Sequence, residues 1–106
     1  MNASKYIILG TKLVMSSNVE FHRELVPDGN TERIGGGGRF HIDHHNKAVI
    51  LYGKSEQYNE PNPSMLRKAA YDYEWESGLA GYSILHSTCE YLSEALKNNI
   101  KIGEIY

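Results

Sequence analysis

Hydrophobic and polar residues alternate along much of the first half of the chain, a pattern typical of short, half-buried β-strands. Strands are predicted over residues 5–15, with Gly10 as a bend or bulge, and over 19–26, 31–34, 39–43 and 48–52. Pro27-Asp28-Gly29-Asn30 and His44-His45-Asn46-Lys47 separate strands as turns. The first half of the chain therefore predicts antiparallel hairpins.

The last third of the chain changes to a helical pattern. Asn62 and Pro63 are residues typical of a helix start, and a helix is predicted over 65–73, with Gly78 and Gly81 ending this region. A second helix is predicted from Ser87, or one turn earlier from Ser83. Its apolar face would be Leu85, Thr88, Cys89, Leu92 and Leu96.

A final strand over 100–102 completes the predicted fold. The fold class is α+β: a small, mostly antiparallel β-sheet with two helices packed on it. The final segment, 100–106, would lie at a sheet edge, where pairing with a second copy would give a homodimer.

Composition narrows the class of protein. The 106 residues, of which 41% are hydrophobic and 23% charged, fit one globular domain over 1–106. A net charge of −2 argues against a broad nucleic-acid interface. Cys89, the single cysteine, suits a reducing compartment, and the apolar start is too short for a membrane span. We therefore expect a cytoplasmic protein with no nucleic-acid or membrane partner.

Hairpin geometry brings chemically active residues to one end of the predicted sheet. A two-residue loop at Asp28-Gly29 would place His22 opposite Gly35, at the start of four consecutive glycines. A second hairpin with its tip at His45-Asn46 would place Arg39 opposite Tyr52, so that Ser55 emerges beside Arg39.

These groups suit a phosphoryl oxyanion. Consecutive glycines can point backbone N–H groups into an anion-binding concavity, and the planar guanidinium of Arg39 matches phosphate geometry. Ser55 adds a hydroxyl donor. His22 is of the one residue type that titrates near neutral pH unaided, so it can accept a proton from water or attack phosphorus itself.

Three segments of the sequence resemble the phosphohistidine phosphatase family (Janus/Ocnus): Glu20-Phe21-His22, the run Ile34-Gly35-Gly36-Gly37-Gly38-Arg39, and residues 51–58, LYGKSEQY. The family pattern is an aromatic-His strand, a GGGR loop and a YGxSxxYG segment. The opening strand, with Lys5, is similar as well. Departures from the pattern are Asn59 at the final glycine, shorter segments around His22, and an apparent insertion over 61–83.

The resemblance implies a phosphohistidine-phosphatase-like fold and a phosphatase that needs no metal or cofactor. The substrate would be a phosphorylated protein or a small phosphoramidate. His22 would be the catalytic base or nucleophile, and Lys5 an auxiliary cation. The phosphate would be held by Gly37, Gly38, Arg39, Ser55 and Gln57, and we place His41 near this site as a further contributor.

Other functions remain open at this point. The same fold could serve as a non-catalytic phosphate- or protein-binding module, which the shortened segments favour. His41, Asp43 and His45 have a spacing that suits Zn²⁺, although the predicted turn interrupts their shared face. Tyr71, Tyr73 and Trp75 would alternatively form a partner-binding surface.

Overall fold

The computed structural model describes residues 3–73 and 79–104, and its central feature is a six-stranded sheet with strand order β2-β1-β3-β4-β5-β6. The strands are β1 (Ala3–Leu9), β2 (Lys12–Val19), β3 (Ile34–Asp43), β4 (Ala48–Tyr52), β5 (Ser83–His86) and β6 (Ile100–Glu104). Two helices accompany the sheet, α1 (Pro63–Tyr71) and the single turn α2 (Leu92–Ala95). The α+β class is therefore confirmed.

The first predicted strand is a hairpin. β1 and β2 pair antiparallel up to Leu9 and Lys12, and Gly10 has a φ of +63° in the tight turn between them. This left-handed backbone is accessible to glycine at little cost, so Gly10 reverses the chain rather than bending one strand. The prediction of a single strand over 5–15 is wrong for this reason.

The second hairpin matches its prediction. β3 and β4 pair antiparallel with Arg39 opposite Tyr52 and Asp43 opposite Ala48. Residues 44–47 form the turn. The predicted register is confirmed because residues 39–43 alternate between the two faces and the short turn leaves little freedom for slippage.

One strand pair is parallel, which the sequence pattern did not predict. β5 pairs parallel with β4, with Leu51 opposite His86. Parallel neighbours need a long crossover, and the chain between β4 and β5 contains α1. Asn62 caps α1 as predicted, because its side-chain oxygen accepts the N–H groups of Ser64 and Met65 at 3.1 and 3.2 Å.

The second predicted helix is largely wrong. Residues 83–86 form β5, and α2 begins only at Leu92. Ile84 is fully buried in the sheet, so pairing with β4 outweighs the helical spacing of the apolar residues. Ser87 does not begin a helix; its Oγ accepts the N–H of Cys89 at 3.1 Å and closes a turn.

The core lies on both faces of the sheet. On one face α1 packs through Leu66, Ala69 and Ala70 against residues such as Tyr6 and Ile84. The other face carries a smaller apolar cluster of Ile7, Leu9, Val19 and Leu25. β1 contributes alternate residues to the two clusters, so each of its faces is buried. This strand lies between β2 and β3.

The remaining predictions about the fold concern the sheet edge, Gly78 and Trp75, and the membrane. β6 does lie at a sheet edge, as expected, whereas pairing with a second copy stays a prediction. Gly78 and Trp75 lie outside the described residues. Over the part of the chain that is described, no helix has the length and apolar character needed to cross a membrane.

Candidate active site

His22 begins a single turn of 3₁₀ helix, His22–Leu25, that follows β2. The carboxylate of Glu24 folds back and accepts the backbone N–H groups of Glu20 and Phe21 at 2.7 and 2.6 Å. This capping satisfies donors that would otherwise lack partners at the start of the turn. The predicted strand over 19–26 and the pairing of His22 with Gly35 are therefore wrong, and β3 starts at Ile34, without the predicted strand over 31–33.

The His22 ring is held by the backbone of β3. The side chain is 8% exposed, and its Nε2 lies 2.8 Å from the carbonyl oxygen of Gly38. A carbonyl oxygen only accepts hydrogen bonds, so Nε2 carries the hydrogen and donates it. In the neutral ring, Nδ1 then holds the free lone pair.

Burial lowers the pKa of His22 below its usual 6.5. The positive charges of Lys5 and Arg39 lower this pKa further, while the hydrogen bond to Gly38 opposes the shift. At neutral pH the imidazole is therefore uncharged and able to take up a proton at Nδ1.

His22 lines an open cavity of about 470 Å³. Lys5 and Arg39 are directly opposite each other on β1 and β3, so their side chains leave the sheet on the same face at this cavity. The remaining lining residues are mostly charged: Glu20, Phe21, Arg23, Gly53, Lys54, Glu56, Gln57 and Glu90. Four basic side chains and three carboxylates thus surround a neutral histidine.

Lys5 also stabilises the wall of the cavity. Its Nζ donates a hydrogen bond to the carbonyl oxygen of Glu20. An ammonium group has three donors, so two remain for an anion in the cavity. Arg23 lies across the ring of Phe21, with its guanidinium carbon 4.6 Å from the ring centre, and this pair forms another part of the wall.

The structure separates the predicted site residues into two groups. His22, Lys5, Arg39 and Gln57 line the cavity. Gly37, Gly38, Ser55 and His41 do not appear among its lining residues. Gly38 contributes indirectly, since its carbonyl oxygen holds His22. His41 follows Arg39 by two positions on the same face of β3 and lies opposite Ile50.

The four glycines are strand, not loop. Gly35 to Gly38 are buried within β3. The N–H of Gly37 donates to the carbonyl of Asn59 at 3.2 Å, and its carbonyl accepts the N–H of Ser55 at 2.9 Å. The Gly37 amide is therefore committed to neighbouring backbone and is not available to an anion.

The glycines instead permit a close crossing of two chain segments. Gly36 has a φ of +95°, and a Cβ there would lie 2.1 Å from the carbonyl oxygen of Glu60. A Cβ at Gly38 would lie 2.5 Å from the carbonyl oxygen of Tyr52, the last residue of β4, and 2.9 Å from that of Gly53, which follows it. Only residues without a side chain allow the segment after β4 to lie this near to β3.

Ser55 organises that segment. The residue is 1% exposed, and its Oγ accepts the N–H groups of Gln57 and Tyr58 at 3.2 and 3.0 Å. The hydroxyl thus closes the turn that carries Gln57 and Glu56 to the cavity. The predicted contact of Ser55 with phosphate has no exposed surface to support it.

Several lining residues escaped sequence reasoning. Arg23 adjoins the predicted site residue His22 in the sequence, so adjacency was the available signal for it. Glu90 arrives from beyond β5 because the N–H of Gly53 donates to the carbonyl of Cys89 at 2.9 Å, which continues the β4–β5 pairing. No local pattern indicated that contact.

The structure also bears on the zinc hypothesis. In residues 3–73 and 79–104, no group of three or more His, Cys, Asp and Glu side chains is arranged to hold a metal ion. The carboxylate of Asp43 accepts the backbone and side-chain N–H groups of Asn46 at 3.1 and 2.8 Å. His41, Asp43 and His45 therefore form no metal site in this part of the chain.

Comparisons with known proteins give no relative for the chain: no family model matches it, and neither do curated proteins or solved structures.

Proposed function

We propose that this protein is a metal-independent phosphatase that hydrolyses a phosphoramidate, such as protein phosphohistidine. The observation that carries the proposal is the neutral, buried His22 in a cavity where Lys5 and Arg39 face the same space. The resemblance of three segments to phosphohistidine phosphatases supports the same substrate class. A cytoplasmic location is part of this proposal.

The chemistry needs little beyond charge and one base. In one route, Nδ1 of His22 takes a proton from water as the water oxygen bonds to phosphorus, and the P–N bond breaks. The leaving nitrogen takes up a proton, giving inorganic phosphate and the free imidazole. In the other route, Nδ1 bonds to phosphorus as the substrate P–N bond breaks and the leaving nitrogen takes up a proton; water then hydrolyses the phospho-enzyme to inorganic phosphate and free His22.

Arg39 and Lys5 would stabilise the negative charge on the phosphoryl oxygens. Transition states of phosphoryl transfer spread charge over three equatorial oxygens, and fixed cations stabilise it without reorganisation. The cavity is open to solvent, so a phosphorylated side chain of a protein would approach it from the surface.

A second candidate is a phosphate-binding module that does not catalyse hydrolysis. The observation in its favour is that the Gly37 amide and the Ser55 hydroxyl are committed to neighbouring backbone. Cationic side chains alone bind an anion well but orient the transition state less strictly than fixed amide donors do.

The test is phosphate release from a histidine-phosphorylated peptide in excess EDTA. We expect turnover by the natural protein, a loss of at least about 100-fold in His22→Ala, and a loss on the order of 100-fold in Arg39→Ala. His45→Gln, which changes an exposed histidine in the β3–β4 turn, is the matched control and should keep full activity.

Three other outcomes would contradict the proposal in different ways. Full turnover by His22→Ala would refute the assigned base. Binding of the peptide without turnover would favour the binding module. Activity that EDTA abolishes and zinc restores would favour a metal-dependent hydrolase.

A further inference from the structure

A second cavity, of about 190 Å³, adjoins the first. The two cavities share Gly53, Lys54 and Glu90 in their walls. The second is completed by residues from three places. Glu60 and Pro61 come from the crossing segment, which is the chain between β4 and α1 at residues 53–62, and Pro63 begins α1. His86 ends β5, and Thr88 follows it. A substrate chain that places a phosphorylated residue beside His22 can therefore extend a neighbouring side chain into this second cavity.

The chemistry of the second cavity differs from that of the first. Two carboxylates, on Glu60 and Glu90, face one ammonium, on Lys54. Burial lowers the pKa of the fourth titratable lining residue, His86, below its usual 6.5, so this ring is uncharged at neutral pH. The two prolines supply apolar surface between the charged groups.

We propose that this second cavity is a specificity subsite that receives a lysine or arginine side chain flanking the phosphorylated residue of the substrate. The aliphatic stem of such a side chain would pack along Pro61 and Pro63, while its charged group would meet the carboxylates of Glu60 and Glu90. The inference rests on the proposed function, because the phosphorylated residue is assumed to bind beside His22.

The fold fixes this subsite firmly. The Glu60 carbonyl lies against Gly36, which anchors the segment over β3, and the N–H of Asn62 donates to the carbonyl of Gly35 at 2.7 Å. On the other side, the N–H of Ser87 donates to the carbonyl of Leu51 at 2.9 Å. A rigid subsite selects side chains more sharply than a mobile loop does.

The test compares histidine-phosphorylated peptides that differ at one flanking position at a time, with lysine, alanine or glutamate there. Affinity is measured by fluorescence anisotropy with the His22→Ala variant, so that hydrolysis does not consume the probe, and KM and kcat are measured with the natural protein. We expect lysine to bind three- to tenfold more tightly than alanine at one flanking position, and glutamate more weakly than alanine. KM should follow this order, and kcat should not change.

A charge reversal provides the decisive comparison. Glu60 is exposed and lines only the second cavity, so Glu60→Lys should invert the preference from lysine to glutamate. Glu94→Lys, at an exposed carboxylate on α2 outside both cavities, is the control and should leave the preference unchanged.

The possible results separate the two proposals. Equal affinities of the lysine, alanine and glutamate peptides, or a preference that Glu60→Lys does not alter, would overturn the subsite. A lysine preference in affinity without any turnover would overturn the phosphatase and leave the subsite standing. Failure of every peptide to bind would overturn both.

Discussion

At the scale of single residues, the burial of His22 is what makes this histidine distinctive. Most histidines on the surface titrate near 6.5, so that they are partly charged in neutral solution. His22 is neutral there because burial of its ring and the positive charges of Lys5 and Arg39 lower its pKa, and the hydrogen bond to the carbonyl of Gly38 only partly offsets this. A base that is uncharged at working pH can accept a proton throughout the physiological range.

Glu24 positions His22 without lining the cavity. Glu24→Ala should free the backbone N–H groups of Glu20 and Phe21 and loosen the turn that buries the histidine. Because burial is the main cause of the lowered pKa of His22, that pKa should rise toward 6.5. The measurement is an NMR titration of the His22 ring protons.

Two further variants complete this prediction. Glu24→Gln keeps a side-chain oxygen that can accept both N–H groups but removes its negative charge, which weakens the two hydrogen bonds, so it should give a smaller rise. Glu94→Ala removes a carboxylate from the first turn of α2, where no side chain caps the helix, and should leave the titration unchanged. An unaltered His22 titration in Glu24→Ala would show that the cap does not position the ring.

Gly36 is the glycine at which a side chain is least tolerable. Gly36→Ala would place a Cβ 2.1 Å from a backbone oxygen at a φ of +95°, so one of the two chain segments must move. We expect a loss of about 3 kcal/mol or more in the free energy of unfolding, measured by urea denaturation.

Gly29 offers the matched control for this prediction. Its φ is +73° and no atom lies within 4 Å of the position of a Cβ, so Gly29→Ala carries only the backbone cost of about 1 kcal/mol. Equal losses in the two variants would mean that the crossing over β3 relaxes freely.

At the scale of elements, the crossing segment between β4 and α1 does most to assemble the site. It lies against β3, where the N–H of Gly37 donates a hydrogen bond to the carbonyl of Asn59, and it turns around the buried hydroxyl of Ser55. One of its faces supplies Gln57 to the first cavity, and its end supplies Glu60 and Pro61 to the second. The glycines of β3 and the crossing segment therefore depend on each other for packing. This dependence holds whatever ligand the protein binds.

β5 is the second element that decides the site. Its parallel pairing with β4 continues beyond His86 through the carbonyl of Cys89, which accepts the N–H of Gly53. This extension brings Glu90 to both cavities. A helix at residues 83–90 would have left both cavities without that wall.

At the scale of the whole molecule, acid should weaken the fold through the buried His22 and the half-buried His86. Burial lowers the pKa of both His22 and His86 below 6.5. The unfolded chain therefore binds more protons than the folded one as the pH falls below about 6.5, and stability decreases until the pH passes the folded pKa values. The stabilising contributions of Glu24 and Asp43, whose pKa values are also lowered, disappear only at a lower pH, below about 4.5 and 3.8.

Because the histidines titrate at a higher pH than Glu24 and Asp43, their effect on stability can be measured separately. Thermal or urea unfolding should give a lower stability at pH 5 than at pH 7.5, and the double variant with His22→Gln and His86→Gln should show a smaller difference. His45→Gln should retain the full difference. A natural protein equally stable at both values would contradict the buried, neutral state of these rings.

The sequence by itself determined the features that depend on neighbours along the chain. The β3–β4 register, the cap of α1 at Asn62 and the final strand follow from alternation, turn residues and hydrogen bonds that span a few positions. It also identified His22, Lys5, Arg39 and Gln57, four of the residues that line the cavity.

Tertiary structure alone decided the rest, because the deciding partners lie far away in the chain. β5 is a strand since β4 offers it hydrogen bonds across a crossover of thirty residues, from 53 to 82. The glycines are buried against neighbouring backbone and the Met65 side chain, and the amide of Gly37 is used by the carbonyl of Asn59. Local patterns indicate which groups a chain carries, whereas long-range packing determines which of those groups remain free to meet a ligand.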